Sequence, residues 1–428
     1  VLGEASSRYR LKVYQQEGFS SPSPYSIVSV KRLLEHALLA IEHTISTNKR
    51  KDGMYHAYNL LDFKGEAAHI NYLSPMLEGQ VAALSSGALD ANEASQVVDA
   101  LFASDVYRPD QKTFMLYPDR VQTPFLQKNC VALVNAEAIS SLQQMIKQDD
   151  KRLIIKDANN NIRFHADIGN EGHLLQKMKG LAPVYPNLAQ EYDAILALYE
   201  QTFNHQAFTG RSGGMFGFEG LGSIYWHMVS KLLLAVAENV VTAANTGADK
   251  AQLNSLVNLY YRIREGIGFN KTPAEYGAFP TDPYSHTPKH AGAQQPGMTG
   301  QVKEELITRF HELGVHIIEG RVVFNFLLLR KQEFLSQAIE FRYLDTSNKW
   351  QILALKENEL AFTWCQVPIV YRINSQINKR TTIVYNDEST YTVDSLEIAS
   401  DKAQVLYKRT GAIKHIIVEF DASLLFDD

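Results

Sequence analysis

The sequence predicts a mainly α-helical protein, with an (α/α)6 barrel that is incomplete within this chain, followed by a C-terminal β-sandwich-like domain. Two observations predict this fold class. Apolar residues recur at helical spacing over residues 26–313, with one hairpin inserted, whereas short alternating runs dominate after Gly314. Consecutive helices with long loops that can gather at one end favour a barrel capped by a β-domain. We therefore expect an entry segment (1–25), a helical catalytic domain (26–316) and a β-domain (317–428).

The elements follow in chain order. Residues 1–25 are polar and rich in Ser and Pro, which indicates an entry segment, and residues 48–65 have the composition of a polar and aromatic loop. Residues 105–130 look irregular, and residues 151–164 predict a hairpin. Apolar periodicity predicts helices at 26–47, 74–86, 92–103, 187–202, 221–246, 248–266 and 300–313. Alternating runs predict strands at 322–328, 350–355, 361–364, 369–373, 381–386, 390–393, 403–408 and 414–420.

Composition excludes several classes of protein. The net charge of the 428 residues is −5, so the chain lacks the basic footprint of a nucleic-acid binder, and no apolar run approaches the ~20 residues of a membrane span. Cys130 and Cys365 form neither a metal-binding spacing nor a disulfide framework, and we interpret them as buried reduced thiols, which favours the cytoplasm. The chain begins with Val1 and has no signal peptide, so we expect an N-terminal portion of the same protein to be missing.

The first segment that could carry chemistry is GRSGGMFGFEGLG, at Gly210–Gly222. It leads directly into a predicted helix, and glycine allows the backbone to approach a ligand closely, while a helix N-terminus presents free N–H groups to anions. Arg211 could clamp a phosphate or carboxylate, and Glu219 is a charged residue in an apolar, glycine-rich setting. The alternative is an ordinary tight turn between two helices.

The second is the long loop at Phe269–Met298. Loops of this length inside compact domains are uncommon and are often functional. His286, His290, Gln294 and Gln295 supply many hydrogen-bond donors. The alternatives are an ordered surface loop and a metal site, although Pro288 between the two histidines disfavours a helical ligand pair.

The loop ends at a predicted helix N-terminus. Thr299 fits an N-cap, with Gly300 as the first helical residue and Glu304 near the first turn. The Thr299 hydroxyl and the neighbouring backbone N–H groups could bind an anion there.

The third segment is KDGMYHAYNLLDFKGE, at Lys51–Glu66. Rings, amides and carboxylates of this kind suit a sugar pocket, and one carboxylate could act as a general acid. The alternative is a loop with core aromatics. The candidate sugar-binding side chains are Tyr55, His56, Tyr58 and Asn59, and the candidate acids are Asp62 and Asp52.

At this point the residues resemble a known family. GGMF at Gly213–Phe216, followed by a helix, resembles the GG-[I/V]-F stretch of cellobiose phosphorylase and related inverting glycoside phosphorylases. Pro283-Tyr284, followed by Met298-Thr299-Gly300, a helix, an ELGV turn and a β-region, resembles that family's closing segment. The threonine and glycine that open the last barrel helix bind phosphate in the family, so the resemblance implies this role for Thr299 and Gly300.

The resemblance also implies a catalytic aspartate. Counting back from Thr299 by the family's spacing leads to Asp62, with Asp52 as the nearby alternative. The family's D-W-N-D motif is absent, and HAYNLLD stands in its place.

A second departure concerns the family histidine that follows GG-[I/V]-F. Phe218 or Glu219 occupies its place, and His286 or His227 could replace it. For these reasons the chain resembles the long oligosaccharide phosphorylases acting on β-1,2- or β-1,3-glucans more than cellobiose phosphorylase itself.

The activity that the resemblance implies is inverting phosphorolysis, a hexosyl transfer to inorganic phosphate. The aspartic acid protonates the glycosidic oxygen, and phosphate attacks the anomeric carbon from the opposite face, giving α-glucose 1-phosphate and a shortened chain. Phosphate is the co-substrate, and we expect no other cofactor and no metal. The implied phosphate-binding residues are Arg211, His286, Gln295, Thr299 and Gly300, and Glu219 joins the substrate-binding set.

Two alternatives remain open. An inverting hydrolase on the same barrel would use Asp62 as the acid and Glu219 as the base that activates water. A non-catalytic carbohydrate-binding module would bind the glucan without turnover. The expected partners are a β-glucan oligosaccharide and phosphate, with a possible homodimer, and neither nucleic acid nor a membrane.

Overall fold

The computed structural model describes residues 2–15, 24–65, 67–118, 124–203, 224–267 and 298–426. The chain forms two compact units, 1–50 and 51–428. The first unit contains helices α1 (Leu2–Gln15) and α2 (Ile27–Thr47). No residue of α2 is buried, although its apolar residues have the expected helical spacing. Helix α1 lies within the residues that the sequence assigns to an entry segment, and its fourteen residues contain no proline to interrupt a helix.

The second unit continues the helical pattern and then changes to strands. Its described α-helices are α3 (Leu77–Leu84), α4 (Ala91–Ala103), α5 (Leu133–Glu137), α6 (Ser140–Lys147), α7 (Glu171–Leu181), α8 (Tyr192–Phe203), α9 (Trp226–Asn245), α10 (Lys250–Arg264), α11 (Met298–Glu312) and α12 (Ser400–Tyr407). Its described strands are β1 (Leu60–Lys64), β2 (Ala67–Asn71), β3 (Tyr107–Arg108), β4 (Thr113–Phe114), β5 (Ile154–Lys156), β6 (Ile162–Phe164), β7 (Val315–Ile318), β8 (Arg321–Phe324), β9 (Ile339–Leu344), β10 (Trp350–Leu355), β11 (Glu359–Trp364), β12 (Val367–Ile373), β13 (Lys379–Tyr385), β14 (Thr390–Val393), β15 (Glu397–Ile398) and β16 (Ile413–Phe420).

Helix α9 lies at the centre of the helical part and packs against α3, α4, α10 and α11. Among the described residues it alone is long and apolar enough to cross a membrane. Most of it is buried against those helices, however, and Leu232, Leu233 and Val236 are completely inaccessible to solvent. It is therefore the core helix of this unit, which explains its composition without a membrane.

Two helices of this layer begin where the sequence supplies a cap. The Asp90 carboxylate accepts a hydrogen bond from the N–H of Glu93 at the start of α4, and the Glu93 carboxylate accepts one from the N–H of Asp90. Asp249 and Gln252 form the same reciprocal pair at the start of α10. Each pair satisfies two backbone donors that the first helical turn leaves without a partner.

Residues 124–203 build a separate core. Helices α5–α8 and the β5–β6 hairpin surround buried side chains that lie between Val131 and Tyr199, including Leu142, Met145 and Leu174. The hairpin confirms the prediction for residues 151–164. Its turn is held by the Asp157 carboxylate, which accepts hydrogen bonds from the backbone of Asn159 and Asn161.

After α11 the chain is mainly β, as predicted. Strands β11–β12–β16–β13–β14 form a five-stranded sheet in which only β12 and β16 run parallel, and β15–β8–β7 form a three-stranded sheet. One core joins the two sheets and α12, with Phe324, Tyr371, Ile416 and Phe420 among its buried members. A helical part followed by a β part is thus confirmed, whereas closure of the helices into a barrel stays a prediction.

Three sequence-based expectations need correction. Hairpins β1–β2 and β3–β4 lie in regions predicted as a loop and as irregular, so the helical part holds more than one hairpin. Residues 403–408, predicted as a strand, fall largely in α12. The buried residues there are Ala403 and Leu406, three positions apart, which is the spacing of one helix face. Cys130 and Cys365 are free thiols, and both are half-buried where full burial was expected.

Candidate functional site

The segment from Lys51 to Asn59 is pinned to α3 by one buried glutamine. The Gln80 side chain accepts a hydrogen bond from the Tyr55 N–H (2.7 Å) and donates to the Tyr55 carbonyl (2.9 Å) and the Met76 carbonyl (3.0 Å). Gln80 is 0% exposed, so its amide takes the place of water for these backbone groups. The position of this candidate sugar-binding segment therefore depends on α3.

A glycine brings the same segment close to α3. A Cβ at Gly79 would lie 2.4 Å from the Cβ of Ala57, a separation that side chains cannot adopt without movement of the backbone. Gly79 therefore allows the loop to lie directly on the helix.

The side chains predicted to contact sugar take different positions. Tyr55 is 4% exposed and packs in the core, where it supports the loop. His56 is half-buried and stacks on Tyr72, with 3.9 Å between ring centroids, and Asn59 is also half-buried. Tyr58 is 48% exposed, and its backbone has a left-handed conformation (φ 55°) that residues other than glycine rarely adopt. Tyr58 and Tyr72 are thus aromatic side chains that solvent reaches here.

One candidate acid, Asp52, lies near the start of this segment, and the other, Asp62, follows its end in β1. Asp52 is exposed, and its carboxylate accepts a hydrogen bond from the Met54 N–H (3.2 Å). Asp62 lies in β1 with His69 opposite it on β2, and its side chain lies outside the described part of the structure. The β1–β2 hairpin exposes Phe63. The choice between Asp62 and Asp52 as general acid stays open.

The predicted phosphate-binding residues fall mostly outside the described residues. Arg211, Glu219, His286 and Gln295 belong to this group, as do His290 and the GGMF stretch. Thr299 and Gly300 lie in the first turn of α11, where the structure describes the backbone and not the Thr299 side chain. The helix begins at Met298, so Thr299 is already helical instead of the N-cap that the sequence predicted.

A second group of polar residues lies just beyond this first turn. The Nε2 atom of His227, on α9, lies 3.4 Å from the Oε1 atom of Glu304, on α11. Glu304 is four residues after Gly300, which corresponds to about 6 Å along a helix axis. The sequence analysis gave His227 as one possible replacement for the family histidine. The fold brings this residue close to the beginning of α11.

The environment of this pair contains both signs of charge. Burial lowers the pKa of His227, the Glu304 carboxylate raises it, and the nearby Lys231 and Lys303 lower it. The Lys303 ammonium also lies 3.2 Å from Glu304. Burial raises the pKa of Glu238, and the charge on Glu304 raises it further. The net effect lowers the pKa of His227, so the imidazole is cationic only at pH values below that lowered pKa. The ammonium groups of Lys231 and Lys303 near His227 can attract an anion to this end of α11, and a protonated imidazole adds to that attraction.

Helix α11 is held in place by its acidic residues. Glu305 accepts hydrogen bonds from Ser230 on α9 (3.2 Å) and Arg264 on α10 (2.6 Å). Glu312, 2% exposed, accepts from the Tyr260 hydroxyl (2.6 Å) and also pairs with Arg264 (3.0 Å). These contacts hold the middle and the C-terminal end of α11 against α9 and α10.

Arg309 also holds α11 in place, through ion pairs near the C-terminal end of the helix. Its guanidinium lies 2.7 Å from both Glu312 and Glu333. The Tyr371 hydroxyl donates to the Leu313 carbonyl just after α11 (2.7 Å). The C-terminal β-domain thus supports the end of α11 that is remote from Thr299.

Sequence reasoning gave Glu304 no role. A glutamate near the start of a helix is common on helix surfaces, so its type and position carry little signal. The useful signal was spacing. Glu304, Thr308 and Glu312 recur every four residues, which predicts one face of α11, and all three are buried.

The comparison with protein families identifies one segment. Residues 122–206, about a fifth of the chain, match the model described as GH149 phosphorylase insertion domain 2. A comparison with curated proteins found no match. The matched segment coincides with the separate core built by α5–α8 and β5–β6, as expected for an inserted domain. Over these residues the chain is similar to an insertion domain of GH149 phosphorylases.

Proposed function

We propose that this chain forms part of an inverting phosphorylase that cleaves a β-linked gluco-oligosaccharide with inorganic phosphate. The products are α-glucose 1-phosphate and a chain shortened by one glucose. The observation that carries the proposal is the match of residues 122–206 to a phosphorylase insertion domain. The environment of α11 supports it, because His227 and Lys303 lie near the turn that contains Thr299 and Gly300.

The proposed phosphate site is the first turn of α11. Backbone N–H groups at a helix N-terminus bind anions well, and the helix dipole favours negative charge there. In this proposal Thr299 and Gly300 hold phosphate, and His227 takes the place of the family histidine. Arg211, His286 and Gln295 complete the site from segments outside the described residues.

The general acid acts on the other side of the bond that breaks. Asp62, or Asp52 in its place, donates a proton to the glycosidic oxygen while a phosphate oxygen attacks the anomeric carbon from the opposite face. The C–O bond to the leaving chain breaks as the C–O bond to phosphate forms, which inverts the anomeric centre. Because phosphate is itself the nucleophile, the reaction needs no protein base to activate water.

The test is to incubate the full-length protein that contains this chain with inorganic phosphate and a panel of β-linked gluco-oligosaccharides. We expect α-glucose 1-phosphate to appear only when phosphate is present, and the substrate that reacts identifies the linkage. Release of free glucose that does not depend on phosphate would instead indicate the hydrolase, and binding without turnover would indicate a carbohydrate-binding module.

Two matched variants decide the general acid. Asp62→Asn and Asp52→Asn each remove one ionisable carboxyl group and keep its size. The variant at the true acid should lose activity by about 100-fold or more, because general acid catalysis contributes at least this much. The other variant should stay near the wild-type rate. Wild-type activity in both variants would exclude Asp62 and Asp52 as the general acid.

A further inference from the structure

The contact between α9 and α11 includes a buried carboxylate that faces an imidazole. The Glu304 side chain is 6% exposed and the His227 side chain is 19% exposed, and the two residues are 77 positions apart in the chain. Carboxylates are rarely buried without a cationic or hydrogen-bonding partner, because loss of water disfavours the charged form. A buried pair costs desolvation energy, so its presence beside a proposed binding site suggests a role beyond packing.

The chemistry of histidine specifies what this pair can do. A neutral imidazole has one N–H donor and one acceptor, whereas an imidazolium donates from both nitrogens. When Nε2–H donates to Glu304, Nδ1 can donate to an anion only in the imidazolium form. A carboxylate partner stabilises this form and also fixes the ring orientation, as partners of ligand histidines do elsewhere.

We infer that Glu304 is a positioning residue for phosphate, because it holds Nε2 of His227 and leaves Nδ1–H of the imidazolium to donate to a phosphate oxygen. The inference rests on the proposed function, since it takes the first turn of α11 as the phosphate site. Glu304 itself does not contact phosphate, with which its charge would be repulsive.

The surrounding charges determine the pH dependence. Burial opposes protonation of His227 most strongly, Glu304 favours it, and among the described residues Lys231 on α9 and Lys303 on α11 also oppose it, so the pKa of His227 is lowered overall. Glu238, the other acid near Glu304, has a raised pKa, mainly because it is buried. Since phosphate is held by the imidazolium, phosphate affinity is present below the pKa of His227 and is lost as the pH rises through it. Removing the Glu304 charge moves this loss to lower pH.

The experiment compares Glu304→Gln with Glu305→Gln in the full-length protein. Glu305 is a matched control because it is the adjacent residue and also bonds to α9 and α10, but its partners are Ser230 and Arg264. NMR of protein labelled with ¹³C-histidine reports the pKa of His227, with its signal assigned by absence in His227→Gln. The same samples are titrated with inorganic phosphate, and KM for phosphate and kcat are measured against pH.

We expect Glu304→Gln to lower the pKa of His227 by about one pH unit, the smaller effect of removing a neighbouring opposite charge. KM for phosphate above that pKa then rises about tenfold, because one pH unit changes the imidazolium fraction tenfold, while kcat at saturating phosphate changes little. Glu304→Asp keeps the charge and should restore part of the affinity. Glu305→Gln should leave both quantities at the wild-type value.

Two results overturn the inference. If the pKa of His227 and KM for phosphate are unchanged in Glu304→Gln, or change equally in Glu305→Gln, Glu304 has no specific role. If Glu304→Gln lowers the pKa but phosphate leaves the wild-type His227 signal unchanged, the pair is structural and phosphate binds elsewhere. Failure of the proposed function is distinct from both, since it appears as wild-type protein that makes no sugar 1-phosphate.

Discussion

Replacement of Gln80 by leucine isolates the contribution of one buried amide to the candidate sugar-binding loop. Leucine is close to glutamine in size and apolar, so it fills the site without forming hydrogen bonds. The wild-type amide makes two hydrogen bonds to the Tyr55 backbone, at 2.7 and 2.9 Å, in a position with 0% exposure. The substitution removes both bonds where water does not replace them. It also removes the bond to the Met76 carbonyl, which still accepts a hydrogen bond from the Gln80 N–H.

The expected cost follows from these two contacts. A buried backbone group that loses its partner costs about 1–3 kcal/mol, and partial relaxation of the loop recovers some of it, so Gln80→Leu should lower the free energy of unfolding by about 2–4 kcal/mol. A loss of this size is a large fraction of the stability of a typical domain. Because Asp52, His56 and Asn59 lie on the same loop, activity should fall as well.

The assays are urea unfolding and amide hydrogen exchange at Tyr55. Wild-type protein should protect the Tyr55 amide, and the variant should exchange it faster through local opening of the loop. Gln96→Leu on α4 is the control, because Gln96 is exposed and its loss should change stability by less than about 0.5 kcal/mol. A loss below about 1 kcal/mol in Gln80→Leu, with Tyr55 still protected, would refute this reasoning.

Two further predictions concern buried charges. Glu312→Gln removes the carboxylate that pairs with Arg264 and should lower the free energy of unfolding by about 3–5 kcal/mol in denaturant titrations, because one partner of a buried pair is lost; a change under 1 kcal/mol would contradict it. The hydrogen bonds from Arg152 and Tyr185 hold the pKa of Asp150 well below its usual range. The stability that Asp150 contributes is therefore present above the pKa of an unfolded carboxyl group, near 4, and is lost as the pH falls through the lower folded value. Asp150→Asn should cost about 1.5–3 kcal/mol at neutral pH and progressively less below pH ~4; an equal cost at pH 7 and pH 3 would exclude this linkage.

Prediction from sequence succeeded where the pattern is local and repeated. The periodicity of residues 221–246 and 248–266 predicted α9 to within five residues and α10 to within two, and the turn around Asp157 predicted the β5–β6 hairpin. A helix of this length repeats its apolar spacing over several turns, so the signal accumulates. Residues 403–408 were assigned to a strand because so short an apolar run fits either period, and packing of Ala403 and Leu406 in the core decides for the helix.

The candidate site divides in the same way. The sequence placed Thr299 and Gly300 at the beginning of a helix, and the structure begins that helix at Met298, two residues before the predicted start. Their phosphate-binding role, and the roles of Asp62 and Asp52, stay predictions. The contact of His227 with Glu304 could not be predicted, because the two residues are 77 positions apart and meet only through the packing of α9 on α11.

The sequence by itself determined the order of the elements, a helical part before a β part, and the residue types from which a sugar and phosphate site could be built. These properties depend on neighbours within a few turns or strands. Only the tertiary structure decided which polar groups share a buried environment: Gln80 with Tyr55, Glu304 with His227, and Glu312 with Tyr260 and Arg264. The physical reason is that burial removes water from groups distant in sequence, and each group must then find its partner on whichever element the fold packs against it.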